Sequence, residues 1–212
     1  ITGPKPCLNM YRINPEGKLF KKTQVPLQSF PFCHDFAMTD RHAIFFVGSI
    51  VFGNMLPFLL GSKSISDQIK FDPTIPLKVI VVDLDNFEIV KTFESDPGAM
   101  IHFGNSFQEG DEIIVDGMFA DNFEANNTLN DVFNPDNRFG GGQYLRYRLN
   151  MVTGTLTSEK VTEVEREFPT FNNDFLGKRN EVNYTACSVD NGADSFFNAI
   201  QRITFDGAAQ II

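Results

Sequence analysis

Histidine is scarce in this chain of 212 residues: it occurs only as His34, His42 and His102. Two of the three stand at matching points of a repeating pattern. Neutral imidazole binds iron, copper or zinc, and equivalent positions in neighbouring repeats can bring two rings together without a short sequence spacing. His34 and His102 are therefore candidate metal ligands. They lie 68 positions apart, and Glu167 follows after a further 65. A carboxylate there can bind a metal directly, or accept the Nδ1 proton of a ligand histidine and so set its tautomer and ring direction. Spacing alone leaves a structural reading of all three open.

Other reactive side chains read as structural. His42, beside Arg41, reads as a surface or turn residue, and Asp35 as a holder of backbone amides at a strand end. Asp83 with Asp85, and Asp111 with Glu112, fall in turns and read as solvated loop acids. Gly140-Gly141-Gly142 lacks the Lys and helix of a phosphate cradle, and no serine nucleophile elbow is present.

Strands must position these groups, because apolar residues alternate with period two and no segment keeps a capped helical period. Leu8 to Ile13 pairs with Lys18 to Val25, Leu77 to Asp83 with Phe87 to Phe93, Ile101 to Phe107 with Glu112 to Phe119, and Tyr144 to Asn150 with Thr155 to Val161. Each pair flanks turn residues suited to a hairpin. Asp121 to Gly142, rich in Asn, Asp and Gly, reads as a long loop.

The hairpins recur as a four-strand unit. One unit runs from His34 through Ile44 to Val47 and on to the Leu77 to Phe93 hairpin. A second runs from His102 through Ile113 to Val115 and the Tyr144 to Val161 hairpin. A third starts near Glu167, passes through Val182 to Val189 and reaches Asn198 to Phe205. Such repetition predicts an all-β propeller, with about three blades in a chain of this length. Three blades leave open edges and an apolar flank, so the expectation is a piece of a longer protein.

Composition narrows the ligand. The net charge is −9 with a pI near 4.8, which argues against nucleic acid and against anionic membranes held by charge alone. Phe outnumbers Tyr by 23 to 4, and Trp is absent, which suits a dry core or a cavity for a hydrocarbon. Cys7, Cys33 and Cys187 are too few and too far apart for a disulfide framework or a zinc knuckle, so a reducing compartment, cytoplasmic or plastid-like, is expected. Ile1 to Pro6 has neither a basic nor an apolar leader region and reads as a start in mid-chain.

Ala43 to Gly61 is 19 residues without a charge, near the length of a membrane span. Gly48, Gly53, Asn54 and Pro57 divide it into a buried strand and an apolar excursion, Ile50 to Leu60. The excursion is either a loop packed on the core or a patch that dips into a membrane or guards an apolar entrance.

Three of these segments carry a family likeness. Phe32-Cys33-His34-Asp35-Phe36-Ala37-Met38-Thr39 resembles the histidine motif of the carotenoid cleavage oxygenases, a family that includes apocarotenoid oxygenases, stilbene cleavers and the retinoid isomerase of the retinal pigment epithelium. His102-Phe103-Gly104-Asn105-Ser106-Phe107-Gln108-Glu109, followed by Asp111 to Asp116, resembles a second motif of that family. Glu167-Phe168-Pro169-Thr170-Phe171-Asn172 resembles a third. The motifs occur in the family's order, and the likeness runs from about Leu8 to Gly207. Ser106 stands where alanine is usual, Gly104 where bulkier residues are frequent, and Glu181 near a usual arginine.

The resemblance implies a seven-bladed β-propeller around a nonhaem ferrous ion, Fe2+, held by four histidines, three of them oriented by glutamates. On matching positions His34 and His102 would be two of the iron ligands, and Glu167 would orient His102. The implied reaction takes O2 and an apolar polyene and cleaves a carbon–carbon double bond to two carbonyls, without an organic cofactor. Family members are longer, so residues 1–212 are expected to be a partial propeller domain, N- and C-terminal blades missing, inactive alone. Ile50 to Leu60 matches a region that in the family contributes to a membrane-facing patch near a substrate tunnel. Phe52, Phe58, Phe103 and Phe119 are candidates for lining that tunnel or patch, with core packing the competing role. Stilbene cleavage, retinoid isomerisation, or a non-catalytic module binding an apolar ligand or a protein are the alternatives.

Overall fold

The structure, a computed structural model, describes residues 5–27, 32–131, 133–134, 141–164, 166–189 and 197–212. Ile1 to Pro4 and Gly140 lie outside them. The described chain is all-β, and its strands form successive antiparallel sheets. β1 (Cys7–Ile13) and β2 (Leu19–Pro26) make a two-stranded hairpin. The first four-stranded sheet follows, with β3 (Ala37–Met38) and β4 (His42–Val47) paired to β7 (Leu77–Asp83) and β8 (Ile89–Ser95). Between β4 and β7 a two-stranded ribbon is inserted, β5 (Ile50–Phe52) with β6 (Ile69–Phe71). The second sheet is β9 (Ala99–Glu109), β10 (Glu112–Ala120), β11 (Gln143–Asn150) and β12 (Leu156–Lys160). The third is β13 (Arg166–Thr170), β14 (Val182–Cys187), β15 (Ala199–Thr204) and β16 (Ala209–Ile211).

Three four-stranded meanders are the blades that the repeat predicts. Turn chemistry ends the strands where expected. Gly110, at φ 58°, closes the tight link between β9 and β10, a backbone state that a side chain disfavours. The link between β7 and β8 differs from expectation: Phe87, at φ 61°, belongs to the turn, and β8 begins at Ile89.

Burial explains the unusually apolar β4. Every residue of His42–Val47 is buried, because both faces of the first blade are covered. Ile44 and Phe46 pack with Val79, Val81 and Phe93 against Met100, Phe103, Ile113, Val115 and Tyr147 of the second blade. Ala43, Phe45 and Val47 face the other way, with Ile80 and Val82, toward Met10 and Val25 of the hairpin. Alternation delivers side chains to two cores at once, so an unbroken apolar run is needed.

The contact between the second and third blades is more polar. Arg146 on β11 makes two hydrogen bonds to the Asp116 carboxylate, at 2.8 and 2.9 Å, and donates to the Phe205 carbonyl at 2.6 Å. Its guanidinium also lies 3.8 Å from the centre of the Phe205 ring. Burial pushes the Asp116 carboxyl above the ordinary range, and the Arg146 bonds oppose that shift.

Several readings are corrected. Asp121 to Gly142 is not all loop, since it contains α2 (Glu124–Asn130), preceded in the chain by α1 (Leu56–Leu59). Asp83 is not a solvated acid: it is buried, and its Oδ1 accepts the amides of Asp85 and Asn86 at 2.8 and 3.1 Å. His42 is not at the surface. It is buried at the start of β4, where its amide donates to Thr39 Oγ1 at 3.0 Å. The excursion after β4 is not a core-packed loop. Pro57 lies in the first turn of the short α1, Gly61 follows its end at φ 70°, and Leu56, Leu59 and Leu60 are 57%, 73% and 73% exposed. Among the described residues no helix is long and apolar enough to cross a membrane.

Candidate metal centre

His34 lies just ahead of β3, in a segment without regular hydrogen bonding, and the Phe32 ring stacks on it at 6.1 Å and 9°. His102 sits on β9 and Glu167 on β13, each on the first strand of its blade. The structure brings all three together. The His34 and His102 rings are 5.1 Å apart between centroids and nearly perpendicular, at 84°. His102 Nδ1 is 2.7 Å from Glu167 Oε2.

Two irregularities aim these side chains. β9 is longer than its partner β10, and the pairing slips between Phe119↔Met100 and Gly117↔Phe103, which places Ile101 and His102 in a bulge. Gly117 permits it, since a Cβ there would lie 2.3 Å from Met100 Cε and 3.2 Å from the His102 carbonyl. β13 bulges likewise between Glu167↔Ala186 and Thr170↔Tyr184. Bulges re-aim a side chain that a regular pleat would direct elsewhere.

The contact with Glu167 bears on which ring nitrogen of His102 could face a metal. An ionised carboxylate can only accept, so Nδ1 carries the proton and the Nε2 lone pair is free for a metal. The His102 imidazole is held above its ordinary pKa by its hydrogen bond to Glu167, against the opposing effect of burial; the charges of Glu167 and Asp35 add to the rise. The Asp35 carboxylate itself accepts the Phe36 amide at 2.8 Å.

The donor set fits an iron ion in part. Two imidazoles side by side on one ion, each nitrogen at about 2.1 Å, would have ring centres roughly 4.6–5.3 Å apart for bond angles of about 90–110° and no need to be coplanar. The observed pair meets that condition. Among the described residues no group of three or more His, Cys, Asp and Glu side chains gathers at one point, so His34 and His102 would supply at most part of a coordination sphere.

The other named residues fall outside this cluster. His42 bonds locally to Thr39, and burial, with Arg41 beside it, lowers its imidazole pKa. Phe103 is buried against Phe46 at 5.3 Å, and Phe119 packs on the same inter-blade core. Phe52 is half-buried on β5, and Phe58 on α1 is 38% exposed.

Sequence reasoning missed the residues that hold the blades in register around the centre. Ser106 Oγ donates to the Met38 carbonyl of the first blade at 2.6 Å. The neighbouring Asn105 donates to the Phe175 carbonyl and to Asn180 Oδ1, at 3.0 and 2.7 Å, in the segment linking β13 to β14. The second motif thus ties its strand to both neighbouring blades, and its polar pair among apolar residues was the available signal.

The family model described as retinal pigment epithelial membrane protein, RPE65, matches residues 1–211. The chain belongs to that family. It is 26% identical over 207 residues to apocarotenoid-15,15'-oxygenase of Synechocystis sp., covering 97% of this chain and 42% of that protein. It is 24% identical over 185 residues to carotenoid 9,10(9',10')-cleavage dioxygenase 1 of Arabidopsis thaliana, covering 84% and 33%. Among solved structures, cobalt-substituted Synechocystis ACO superimposes with a TM-score of 0.82 at 23% identity, covering 97% of this chain and 43% of that one. A chimera of ACO and RPE65 gives 0.79 at 24%, with the same coverage. This fold likeness identifies the three sheets as blades of a β-propeller, and the chain spans about two fifths of the Synechocystis oxygenase.

Proposed function

We propose that the whole protein is a nonhaem Fe(II) dioxygenase that cleaves a conjugated carbon–carbon double bond of a carotenoid or apocarotenoid. The observation that carries this reading is the perpendicular approach of His34 and His102, with Glu167 bonded to His102 Nδ1. The names of the Synechocystis and Arabidopsis relatives supply the substrate class, and cobalt substitution in one of them supports a metal at this centre. Further histidines from elsewhere in the protein complete the coordination sphere.

When bound, Fe2+ supplies the redox chemistry that lets O2 react with the alkene. The reaction balances without an external reductant: the C=C and O–O bonds break, two C=O bonds form, and each carbonyl product keeps one oxygen atom. The chain's part is positional. His34 and His102 hold the metal, Glu167 keeps the His102 proton on Nδ1, and the Phe32 and Phe168 rings lie against the imidazoles.

The exposed Leu56, Phe58, Leu59 and Leu60 support peripheral contact with a membrane, from which a lipid-dissolved polyene would enter. Three unbridged cysteines fit a reducing compartment.

The test is replacement of His34 or His102 by Ala in the full-length protein. Each is expected to lower bound iron and abolish formation of carbonyl products from a carotenoid. Normal iron content and cleavage in both variants would remove the ligand assignment.

A further inference from the structure

Arg166, the first residue of β13, is completely buried, at 0% exposure. It stands opposite Cys187 on β14, and two residues before Cys187 stands Thr185, opposite Gln201 on β15. Alternation gives Asn183, Thr185 and Cys187 one common face, and Asn183 Nδ2 reaches Asp116 at 3.4 Å, so that face looks onto the second blade. Arg166 Nε donates to the Val164 carbonyl at 2.6 Å, and Nη1 donates to Gln201 Oε1. Both acceptors are neutral. Among the described residues Arg166 Nη2 has no acceptor, and Thr185 Oγ1, on a side chain equally shut from solvent, has no partner.

The missing counter-charge matters more than the missing hydrogen bond. A guanidinium keeps its proton inside a protein, and a buried charge left unpaired is costly. Arg146 in the same interface has Asp116, whereas Arg166 forms no ion pair among the described residues. The neighbours that favour its charge are the Cys187 thiol and the Tyr144 hydroxyl. Burial pushes Cys187 up and Tyr144 well up, so both are neutral near pH 7 and supply no negative charge. A water molecule would answer the donor but not the charge.

We infer that Arg166 and Thr185 form a buried binding site for a small monovalent anion of the chloride class, closed between the second and third blades. Arg166 Nη2 and the Thr185 hydroxyl are its donors, and the anion is the counter-charge of the guanidinium. The site goes beyond the metal reading and does not rest on it.

Crystals of the full-length protein grown from bromide salts are expected to show an anomalous bromide peak against Arg166 Nη2 and Thr185 Oγ1. In solution, replacing sodium gluconate by sodium chloride at equal ionic strength should raise Tm by about 2–4 °C, because a ligand held only by the folded state stabilises it. Arg166→Met removes the charge and should abolish that rise. Thr185→Val keeps the shape, removes one donor and should reduce it. If Arg166→Met does not fold, the chloride response of Thr185→Val decides in its place, and an undiminished rise there overturns the inference. So does a chloride effect that persists in Arg166→Met, or a map with water or a carboxylate at Nη2 in place of bromide. A bromide peak with no chloride effect on the parent's Tm would mark an adventitious ion only, and it too overturns the site.

Discussion

His102 Nδ1 and Glu167 Oε2 lie 2.7 Å apart although 65 positions separate the two residues in the chain. The contact joins the innermost strands of two blades, so it depends on how those blades pack. Glu167→Gln keeps the shape but removes the charge that favours the proton on Nδ1. Metal affinity should fall about 10- to 100-fold, as is usual when a partner behind a ligand histidine is changed, and titration with Co2+ measures it.

The pair of Arg146 and Asp116 is almost fully buried, with side chains 6% and 5% exposed. Arg146→Met leaves Asp116 without its main partner and should cost about 3–5 kcal/mol, read from urea unfolding of the full-length protein. Replacing Asp116 by Leu in the same molecule should recover part of that loss. A double variant as unstable as the sum of the two singles would show that the residues do not act as a pair.

His42 should make stability depend on pH. Burial, foremost, and the nearby Arg41 lower its pKa below the ordinary 6.5, against the opposing pull of Asp83; Thr39 holds the ring in place. The unfolded chain therefore takes up the proton first. Stability is full above the ordinary value, declines as pH falls below it, and levels off under the folded pKa. His42→Gln should flatten that decline relative to the parent, and thermal melts between pH 5 and 7.5 compare the two.

Leu59 and Leu60 are each 73% exposed on an acidic molecule with net charge −9. Attraction to a membrane would then be apolar in origin. Leu59→Glu with Leu60→Glu should strongly reduce co-sedimentation with neutral phosphatidylcholine vesicles, and added salt should affect the parent little. Unchanged sedimentation would exclude α1 as the contact.

Much of the blade order was legible because strand period and turn chemistry are local. Ile44 to Val47, Ile113 to Val115 and Leu145 to Leu149 show themselves by apolar content, and Gly110 and Gly154 by their positions between strands. The environments of single polar groups were not legible. His42 and Asp83 sit at strand ends, where the sequence looks solvent-facing, yet they pair across β4 and β7 and are both buried. α1 shows the reverse, an apolar run left largely exposed among the described residues.

For the centre, the sequence alone marks His34, His102 and Glu167 as equivalent points of a repeat and offers a metal as one reading. Only the tertiary structure decides that the two rings meet nearly at right angles, that Glu167 faces His102, and that the Phe168 amide donates to the same carboxylate oxygen. The reason is physical. Repeat spacing comes from hydrogen-bonded strands of fixed rise, which local sequence encodes, whereas the direction of a side chain at a bulge is set by the packing of one blade on the next.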